Sequence, residues 1–357
     1  MNKTLLKTVD VSKRDMTKAA VLKKRCFGFA AVLVLSPLLY AFSLDSSPQS
    51  TSLQVTGLRV GSSVPKILPI FDGETTDEIS CKMVTQREFS SPWFLESIGL
   101  IGEKPRNNRK QWEVAYVLHV VKTLNLCEPG KRGLVLAVGT EKLPQVFASM
   151  GCSILATDLP VDDDPAFAKA WANTGQHVAT IESLYRKNYK GVSKKTFKEL
   201  VTYHPENMNS FSDWLLQQEK FDFIWSLCSI EHVGSIELGQ NVVLHTLDLL
   251  KPGGVAFHSV EFNLSSNNAT KQMKGESVWR KRDFEALKEK AIAKGYSPFP
   301  AQFGAGHGIL DRNPDGVLPR PYSSSDHIKL YEVLPPLDAP IPESLIKTSY
   351  AMLIRKP

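Results

Sequence analysis

The amino-acid sequence predicts an α/β fold built on a mostly parallel sheet with an antiparallel strand at its edge. Short apolar stretches alternate with amphipathic helical stretches five times between residues 109 and 295. Two more apolar stretches, 327–334 and 345–355, close the chain. Alternating strands and helices are typical of a parallel sheet with helices on its faces, and short apolar strands late in such an order can pair antiparallel at the edge. We therefore expect one seven-stranded sheet sandwiched between helices.

The stretch 132–160 has the order strand, turn, helix, strand. Gly139 follows the first apolar run, where a chain that leaves a strand must turn tightly into a helix. The helical stretch 141–150 stops at Gly151, and the second apolar run ends in Asp158. Such a unit suits a nucleoside, because helix-terminal amides meet its polar tail and the carboxylate accepts from the ribose hydroxyls. One glycine is a weak signature, so an ordinary crossover in which Asp158 caps the next segment is the alternative.

The remaining elements follow from the same patterns. We expect further strands at 200–204, 221–226 and 255–262, and helices at 109–126, 236–250 and 279–295. Carboxyl ends of parallel strands share one edge of a sheet, where ligands of such folds bind. Polar or chemically active side chains at or near the ends of these strands are Asn207, Met208, Ser226, Glu231, His232, His258 and Glu261.

The basic charge is confined to the N-terminal tail. Residues 1–25 hold eight basic and two acidic residues, which accounts for the whole formal net charge of +6. The neutral remainder lacks the basic footprint of a nucleic-acid-binding protein. The 19 uncharged residues 26–44 follow, and about 20 apolar residues span a bilayer as a helix. Basic residues stand only before this span, which places the tail in the cytosol and the rest in the lumen; a cleaved signal peptide is the alternative.

Composition divides the rest of the chain. Residues 45–65 are rich in serine, threonine and glycine and indicate a flexible stem. Residues 66–108 are irregular and predict an arm packed on the domain 109–357. We expect a single-pass type II membrane protein held in the Golgi or endoplasmic reticulum membrane.

The cysteines have no metal-ligand spacing. They stand at positions 26, 81, 127, 152 and 228, and buried thiols are their expected role. Pairing of Cys81 with Cys127 in an oxidising lumen is the alternative. Three consecutive aspartates, 162–164, suit the solvated first turn of a helix better than a metal site, so no metal is expected.

Four motifs in their order and spacing resemble the class I S-adenosylmethionine-dependent methyltransferases, over roughly residues 109–356. They are Leu134-Val135-Leu136-Ala137-Val138-Gly139, Asp158, Phe221-Asp222-Phe223-Ile224-Trp225-Ser226 with Ile230-Glu231-His232, and Leu249-Leu250-Lys251-Pro252-Gly253-Gly254. Further stretches are similar to a bacterial group of that family linked to surface-polysaccharide modification: Arg109-Lys110-x-Trp112-Glu113, Thr174-Gly175-Gln176-His177, residues 261–267 and Arg280-Lys281-Arg282-Asp283. The chain departs from the family pattern where Ala137 replaces a frequent acid and Thr140-Glu141-Lys142 replaces a glycine-rich continuation.

The resemblance implies a Rossmann-like methyltransferase sandwich with S-adenosyl-L-methionine as cofactor. Gly139 would let the backbone approach the methionine part, and Asp158 would bind the ribose hydroxyls. Asn207 and Met208 would meet the adenine, and Ser226 would face the methionine end. A polar turn and a core methionine are the alternative for Asn207 and Met208.

A hydroxyl acceptor must lose a proton, normally to a histidine or a carboxylate. His232, His258, Glu261 and Glu231 are the candidate catalytic residues, and His177 is a further one whose position the sequence does not fix. His258 and Glu261 cannot share a face of an extended strand, since they are three residues apart. Glu231 has an alternative role as an acid at the start of a helix.

In the predicted luminal part of the chain, glycosylation sequons begin at Asn263 and Asn268. Asn263 would lie beside the active edge, so Asn268 is the better acceptor. The expected function is O-methylation of a glycan or another hydroxyl in the secretory-pathway lumen. The alternatives are a membrane-associated small-molecule or lipid methyltransferase and an inactive, methyltransferase-like binding protein.

Overall fold

The computed structural model describes residues 71–160, 180–273, 275–312, 328–329, 332–334 and 345–357. The predicted tail 1–25, membrane span 26–44 and stem 45–65 lie outside these residues, as do the aspartates 162–164 and His177. None of the helices in the described part of the chain has the length and apolar character needed to cross a membrane.

The strands alternate with helices in the predicted order. The strands are β1 (Lys82–Met83), β2 (Asn107–Asn108), β3 (Arg132–Val135), β4 (Ser153–Asp158), β5 (Val201–Pro205), β6 (Phe221–Leu227), β7 (Leu250–Asn263), β8 (Gln272–Met273), β9 (Glu276–Ser277), β10 (Ser297–Pro298), β11 (Ile328–Lys329), β12 (Glu332–Leu334) and β13 (Leu345–Arg355). The helices are α1 (Pro92–Ile101), α2 (Arg109–Thr123), α3 (Leu143–Ser149), α4 (Ile181–Leu184), α5 (Lys194–Leu200), α6 (Asp213–Leu216), α7 (Ile236–Asp248), α8 (Lys281–Ala293) and α9 (Ile309–Arg312).

The main sheet has the strand order β5-β4-β3-β6-β7-β13-β1. The strands from β5 to β7 are parallel, and β13 runs antiparallel to β7, with Lys347 opposite Asn263 and Arg355 opposite Val255. From the centre of the sheet, the chain adds strands β3, β4 and β5 toward one edge and then β6 and β7 toward the other edge. Ligands of open α/β sheets bind where the order reverses, at the carboxyl ends of the strands. This fold therefore places its candidate site above β3 and β6.

The predicted mixed, mostly parallel, Rossmann-like sheet is confirmed, but within the described residues it has nine strands rather than the expected seven, and its antiparallel strand β13 is not at the edge. β13 lies inside the sheet, because β1, β10 and β12 all pair with its far side. β1 belongs to the segment 66–108, and its Lys82 stands opposite Ala351. The sequence pattern missed β1, since two residues are too short to show a period.

Helices cover both faces of the sheet. Asn108 caps α2, because its side chain accepts hydrogen bonds from the backbone N–H groups of Lys110 and Gln111 and so replaces partners that the first turn lacks. The Tyr116 ring of α2 packs edge-on against Phe257 of β7. On the opposite face, Thr246 of α7 contacts the next β7 residue, His258.

Two cysteines form a disulfide that was not predicted. Cys127 pairs with Cys152 across 25 residues of sequence, whereas Cys81 is a buried free thiol. The predicted alternative pairing of Cys81 with Cys127 is wrong, because β1 carries Cys81 beside β13, where its Sγ approaches the Leu353 carbonyl group at 3.5 Å.

The two sequons differ sharply in exposure. Asn263 is fully buried, and its amide accepts from the N–H groups of Ser265 and Ser266 and donates to the Ala269 carbonyl group. Asn268 is exposed. A glycan therefore fits only Asn268 in the folded chain.

Candidate active site

The turn after β3 and the end of β4 meet at the carboxyl edge of the sheet. The Gly139 N–H donates to Asp158 Oδ2 at 3.1 Å, and the Leu159 N–H donates to Oδ1 at 2.9 Å. Gly139 has a φ of 51°, in the left-handed region that favours glycine. The two backbone donors orient the Asp158 carboxylate beside the turn after β3, and its contact with a ribose stays a prediction.

Two residues other than glycine adopt left-handed backbone conformations on either side of the point where the strand order reverses. Ala137 follows β3 with a φ of 50°, and Cys228 follows β6 with a φ of 42°. This conformation costs roughly 1–2 kcal/mol for a residue with a β-carbon, and such strain concentrates at functional sites. The loops after β3 and β6 thus each contain a backbone conformation that alanine or cysteine disfavours.

The predicted adenine contacts lie on the loop after β5. The Asn207 side-chain oxygen accepts from the Asn209 N–H at 3.0 Å, a local turn that asparagine commonly forms. Met208 is half-buried and packs against the core. This geometry matches the alternative, a polar turn with a packed methionine, and the adenine contact stays a prediction.

Ser226 and His258 belong to the core, which corrects two of the predicted roles. Ser226 Oγ lies 2.8 Å from His258 Nδ1, and Thr246 Oγ1 lies 3.1 Å from His258 Nε2. Neither Ser226 nor His258 is more than 1% exposed, and burial lowers the pKa of His258 to about 3. A neutral imidazole with both nitrogens engaged inside the protein does not fit a general base, and the buried Ser226 hydroxyl has His258 as its hydrogen-bond partner.

Glu261 lies on the opposite face of β7 in an ion-pair network. Its two carboxylate oxygens approach Arg109 NH2 at 3.0 Å and Lys347 Nζ at 2.6 Å. Burial favours its neutral form, but the charges of Arg109 and Lys347 prevail and hold the pKa of Glu261 at about 2. A carboxylate stabilised so strongly as an anion does not fit the predicted role of proton acceptor.

The same network includes Glu113 of α2, a residue without a predicted role. Glu113 accepts hydrogen bonds from the Cys228 thiol at 3.1 Å and from the Ser259 hydroxyl at 3.1 Å, and Ser349 of β13 donates to it as well. The sequence contained one indication of this contact, because Arg109 and Glu113 stand one helical turn apart and can pair on the same face of α2. Their partners come from β6, β7 and β13, which no local pattern connects.

Glu231 differs from every other carboxylate described above. It lies in the short 3-10 turn Ile230–His232 after β6, it is fully buried, and among the described residues neither of its carboxylate oxygens has a hydrogen-bond partner. Burial, together with the negative charge of Glu261, raises the pKa of Glu231 to about 7. Buried polar groups are nearly always paired, so a buried carboxylate after β6 that is unpaired among the described residues is an unusual feature of this edge of the sheet.

A short hairpin, β8 and β9, lies against the turn that contains Glu231. The Ser277 hydroxyl donates to the Glu231 carbonyl group at 3.0 Å. His232 is half-buried, and its Nδ1 lies 2.6 Å from the Gly275 carbonyl oxygen. The structure thus brings Glu231 and His232 together under this hairpin, apart from His258.

Glu141 is a second acid that sequence reasoning left without a role. It is half-buried in the turn after β3, and its Oε1 accepts from the Trp225 indole N–H at 2.7 Å. Burial, with the charges of Glu113 and Asp158, raises the pKa of Glu141 to about 8. One indication of this acid was present in the sequence: Thr140-Glu141-Lys142 stands where the methyltransferase pattern has a glycine-rich stretch.

No protein-family model and no curated protein matches the chain. Solved structures similar to it include an S-adenosylmethionine-dependent methyltransferase from Clostridium acetobutylicum, with 11% identity over 70% of this chain and 92% of that chain and a TM-score of 0.34. A phosphoethanolamine N-methyltransferase 2 from Haemonchus contortus, in complex with S-adenosyl-L-methionine, is 16% identical over 60% of this chain and 45% of that one, at 0.34. The [4+2]-cyclase SpnF is 13% identical over 78% and 99%, at 0.38. Identities and scores this low do not establish a family.

Proposed function

We propose that the protein is an S-adenosylmethionine-dependent methyltransferase that acts on a hydroxyl acceptor. The observation that carries this proposal is the sheet itself, with five parallel strands in a doubly wound order, β13 antiparallel beside β7, and a site edge between β3 and β6. That order, with the four motifs at the matching strand ends, is what the resemblance to class I methyltransferases implies.

The residues at this edge fit the cofactor. Gly139 leaves room for a close approach of the backbone, and the Asp158 carboxylate is oriented beside it by the Gly139 N–H. Charge-assisted hydrogen bonds to ribose hydroxyls are roughly twice as strong as neutral ones. When bound, the cofactor supplies an electrophilic methyl group. Asn207 and Met208 are proposed neighbours of the adenine.

Glu231 is the group that fits the role of general base. Methyl transfer depends on aligning and desolvating the acceptor, and a hydroxyl acceptor also has to lose its proton. A carboxylate oxygen of Glu231 takes that proton, because its pKa near 7 leaves a large fraction ionised at neutral pH while keeping it basic. His232, the next residue in the chain and half-buried, is proposed as a polar contact for the same acceptor.

We also propose a luminal location, with the acceptor a glycan or another secretory-pathway hydroxyl. Two features support it: the uncharged stretch 26–44 after a basic tail, and the Cys127–Cys152 disulfide, since disulfides persist mainly in oxidising compartments. The body should resist protease in sealed microsomes until detergent is added. Digestion without detergent would contradict the proposal.

Binding of S-adenosyl-L-methionine, measured by calorimetry, tests the function. The wild-type protein should bind it, and Asp158→Ala should bind roughly tenfold more weakly or worse, because charged hydrogen bonds contribute about 1.5–3 kcal/mol each. Asp77→Ala, which removes an exposed acid, is the matched control and should bind normally. Absence of binding by the wild type would sink the enzymatic proposal and favour a binding protein.

A labelled-methyl assay identifies the acceptor. Glycans, lipids and small hydroxyl compounds are offered in parallel, with Glu231→Gln as the inactive comparison. Label in glycans supports the proposal, whereas label in lipids or small molecules alone supports the membrane-associated alternative.

A further inference from the structure

Glu141 bridges the two halves of the sheet at the point where the strand order reverses. Its backbone N–H donates to the Val138 carbonyl group at 3.3 Å, which closes the turn after β3. Its carboxyl group reaches the neighbouring strand, where the indole of fully buried Trp225 in β6 donates to it at 2.7 Å. The carboxyl group is therefore held between the turn after β3 and strand β6, the two elements that flank the reversal of the strand order.

The charges around Glu141 are mostly of its own sign. Asp158 at the end of β4 and Glu113 on α2 both act on it as negative neighbours. The nearby cations are engaged elsewhere: Lys142 pairs with Glu103 at 2.7 Å, and Arg186 donates to the Thr140 carbonyl group. Within the described part of the chain, no lysine, arginine or histidine forms an ion pair with Glu141.

We propose that Glu141 is the counter-charge for a cationic group of the ligand, and that it loses a proton when this ligand binds. This inference rests on the proposed function, in which the cation is the sulfonium centre of S-adenosyl-L-methionine. A positive charge within about 4–6 Å favours the ionised form of an acid. Among the described residues no such charge acts on Glu141, so a cationic ligand would supply it.

The sign of the linkage follows from the pKa of about 8 in the free protein. Below pH 8 the carboxyl group holds its proton, and a bound cation expels it. The affinity for the cationic ligand then rises with pH, by up to about tenfold per pH unit, and levels off above pH 8. A ligand of the same shape without the sulfonium charge should show a smaller dependence.

Calorimetry with S-adenosyl-L-methionine and S-adenosylhomocysteine tests this on the full-length protein. Titrations at pH 6.5, 7.5 and 8.5 in two buffers of different ionisation enthalpy give the affinities and the number of protons released. For the wild type we expect proton release and rising affinity with the sulfonium ligand. Glu141→Gln should abolish the added pH dependence and weaken the sulfonium ligand more than its neutral analogue. Glu199→Gln, which removes an exposed carboxylate, should behave like the wild type.

Trp225→Phe provides a second variant that keeps the carboxyl group. Because the indole hydrogen bond lowers the pKa of Glu141, its loss should move the affinity plateau to higher pH. Equal weakening of both ligands by Glu141→Gln, or an unmoved plateau in Trp225→Phe, would overturn the inference while leaving the proposed function intact. Failure of the wild type to bind either ligand would instead overturn the proposed function, and this inference with it.

Discussion

Lys347 of β13 gives the sharpest test of the ion-pair network beneath the site. Its Nζ lies 2.6 Å from Glu261 and 2.7 Å from Glu276, and the residue is 4% exposed. Lys347→Met keeps most of the apolar volume and removes the charge. Among the described residues, the buried Glu261 then keeps Arg109 as its ion-pair partner. Leaving a buried charge partly uncompensated is strongly destabilising.

The pKa of Glu261 sets the magnitude. It lies at about 2 against an ordinary 4.5, and about 2.5 pH units correspond to about 3 kcal/mol at 25 °C. A carboxylate with a lowered pKa contributes this stability fully above its unfolded pKa and loses it as the pH falls through about 2. The charge of Arg109 acts on Glu261 more strongly than that of Lys347 and stays in place, so Lys347→Met removes only part of this stabilisation. We expect it to lower the free energy of unfolding by about 1–2 kcal/mol at pH 7, and by less at the lowest pH at which the wild type stays folded.

Urea unfolding at both pH values measures the effect. Lys198→Met breaks the exposed pair with Glu182 and should cost less than about 1 kcal/mol. Adding Glu261→Gln to Lys347→Met should recover part of the loss, because it removes the uncompensated charge. A Lys347→Met loss as small as that of the Lys198→Met control, or a loss independent of pH, would refute the reasoning.

Three further predictions concern the base, the disulfide and the sequons. Glu231→Gln should lower the turnover of a hydroxyl acceptor by about 10²–10⁴-fold, and wild-type turnover should rise with pH through about 7; a flat pH–rate profile would count against this role. Replacing Cys127 and Cys152 together by alanine should cost about 3 kcal/mol in urea unfolding, since the bridge closes a loop of 25 residues; an unchanged midpoint would show that the bridge does not form. Asn268→Gln should remove any glycan seen as a gel shift, whereas Asn263→Gln should leave the shift and destabilise the fold; the reverse pattern would contradict the burial argument.

The sheet was predictable because its strands carry local signals. The stretch 345–355 coincides with β13, and Gly139 and Asp158 follow from the end of a strand and the turn beyond it. A buried parallel strand is a continuous apolar run, and a parallel order needs only alternation with helices. Both patterns can be recognised in a single sequence.

The chemistry of the edge was harder to predict, because side-chain environments depend on contacts between distant segments. His258 looked like a candidate base, but Thr246 and Ser226 enclose it from two other elements. Glu261 is likewise held in its ionised form by Arg109 and Lys347. These two residues lie 152 and 86 positions away along the chain. Burial and neighbouring charges therefore change the pKa values, and with them the chemical roles, that the residue types alone would suggest.

The position of β13 between β7 and β1 has a consequence for how the chain is made. Lys82 and its neighbour Ala351 are separated by almost the whole domain, so among the described strands β1 has no partner until β13 emerges from the ribosome. Until then β7 presents an open edge, and open edges recruit foreign strands. Ordering of contacts this distant in sequence is slow. The growing chain should therefore depend on chaperones late in its synthesis. Deletion of β13 should leave the segment that contains β1 open to protease, whereas the parallel strands should still pair.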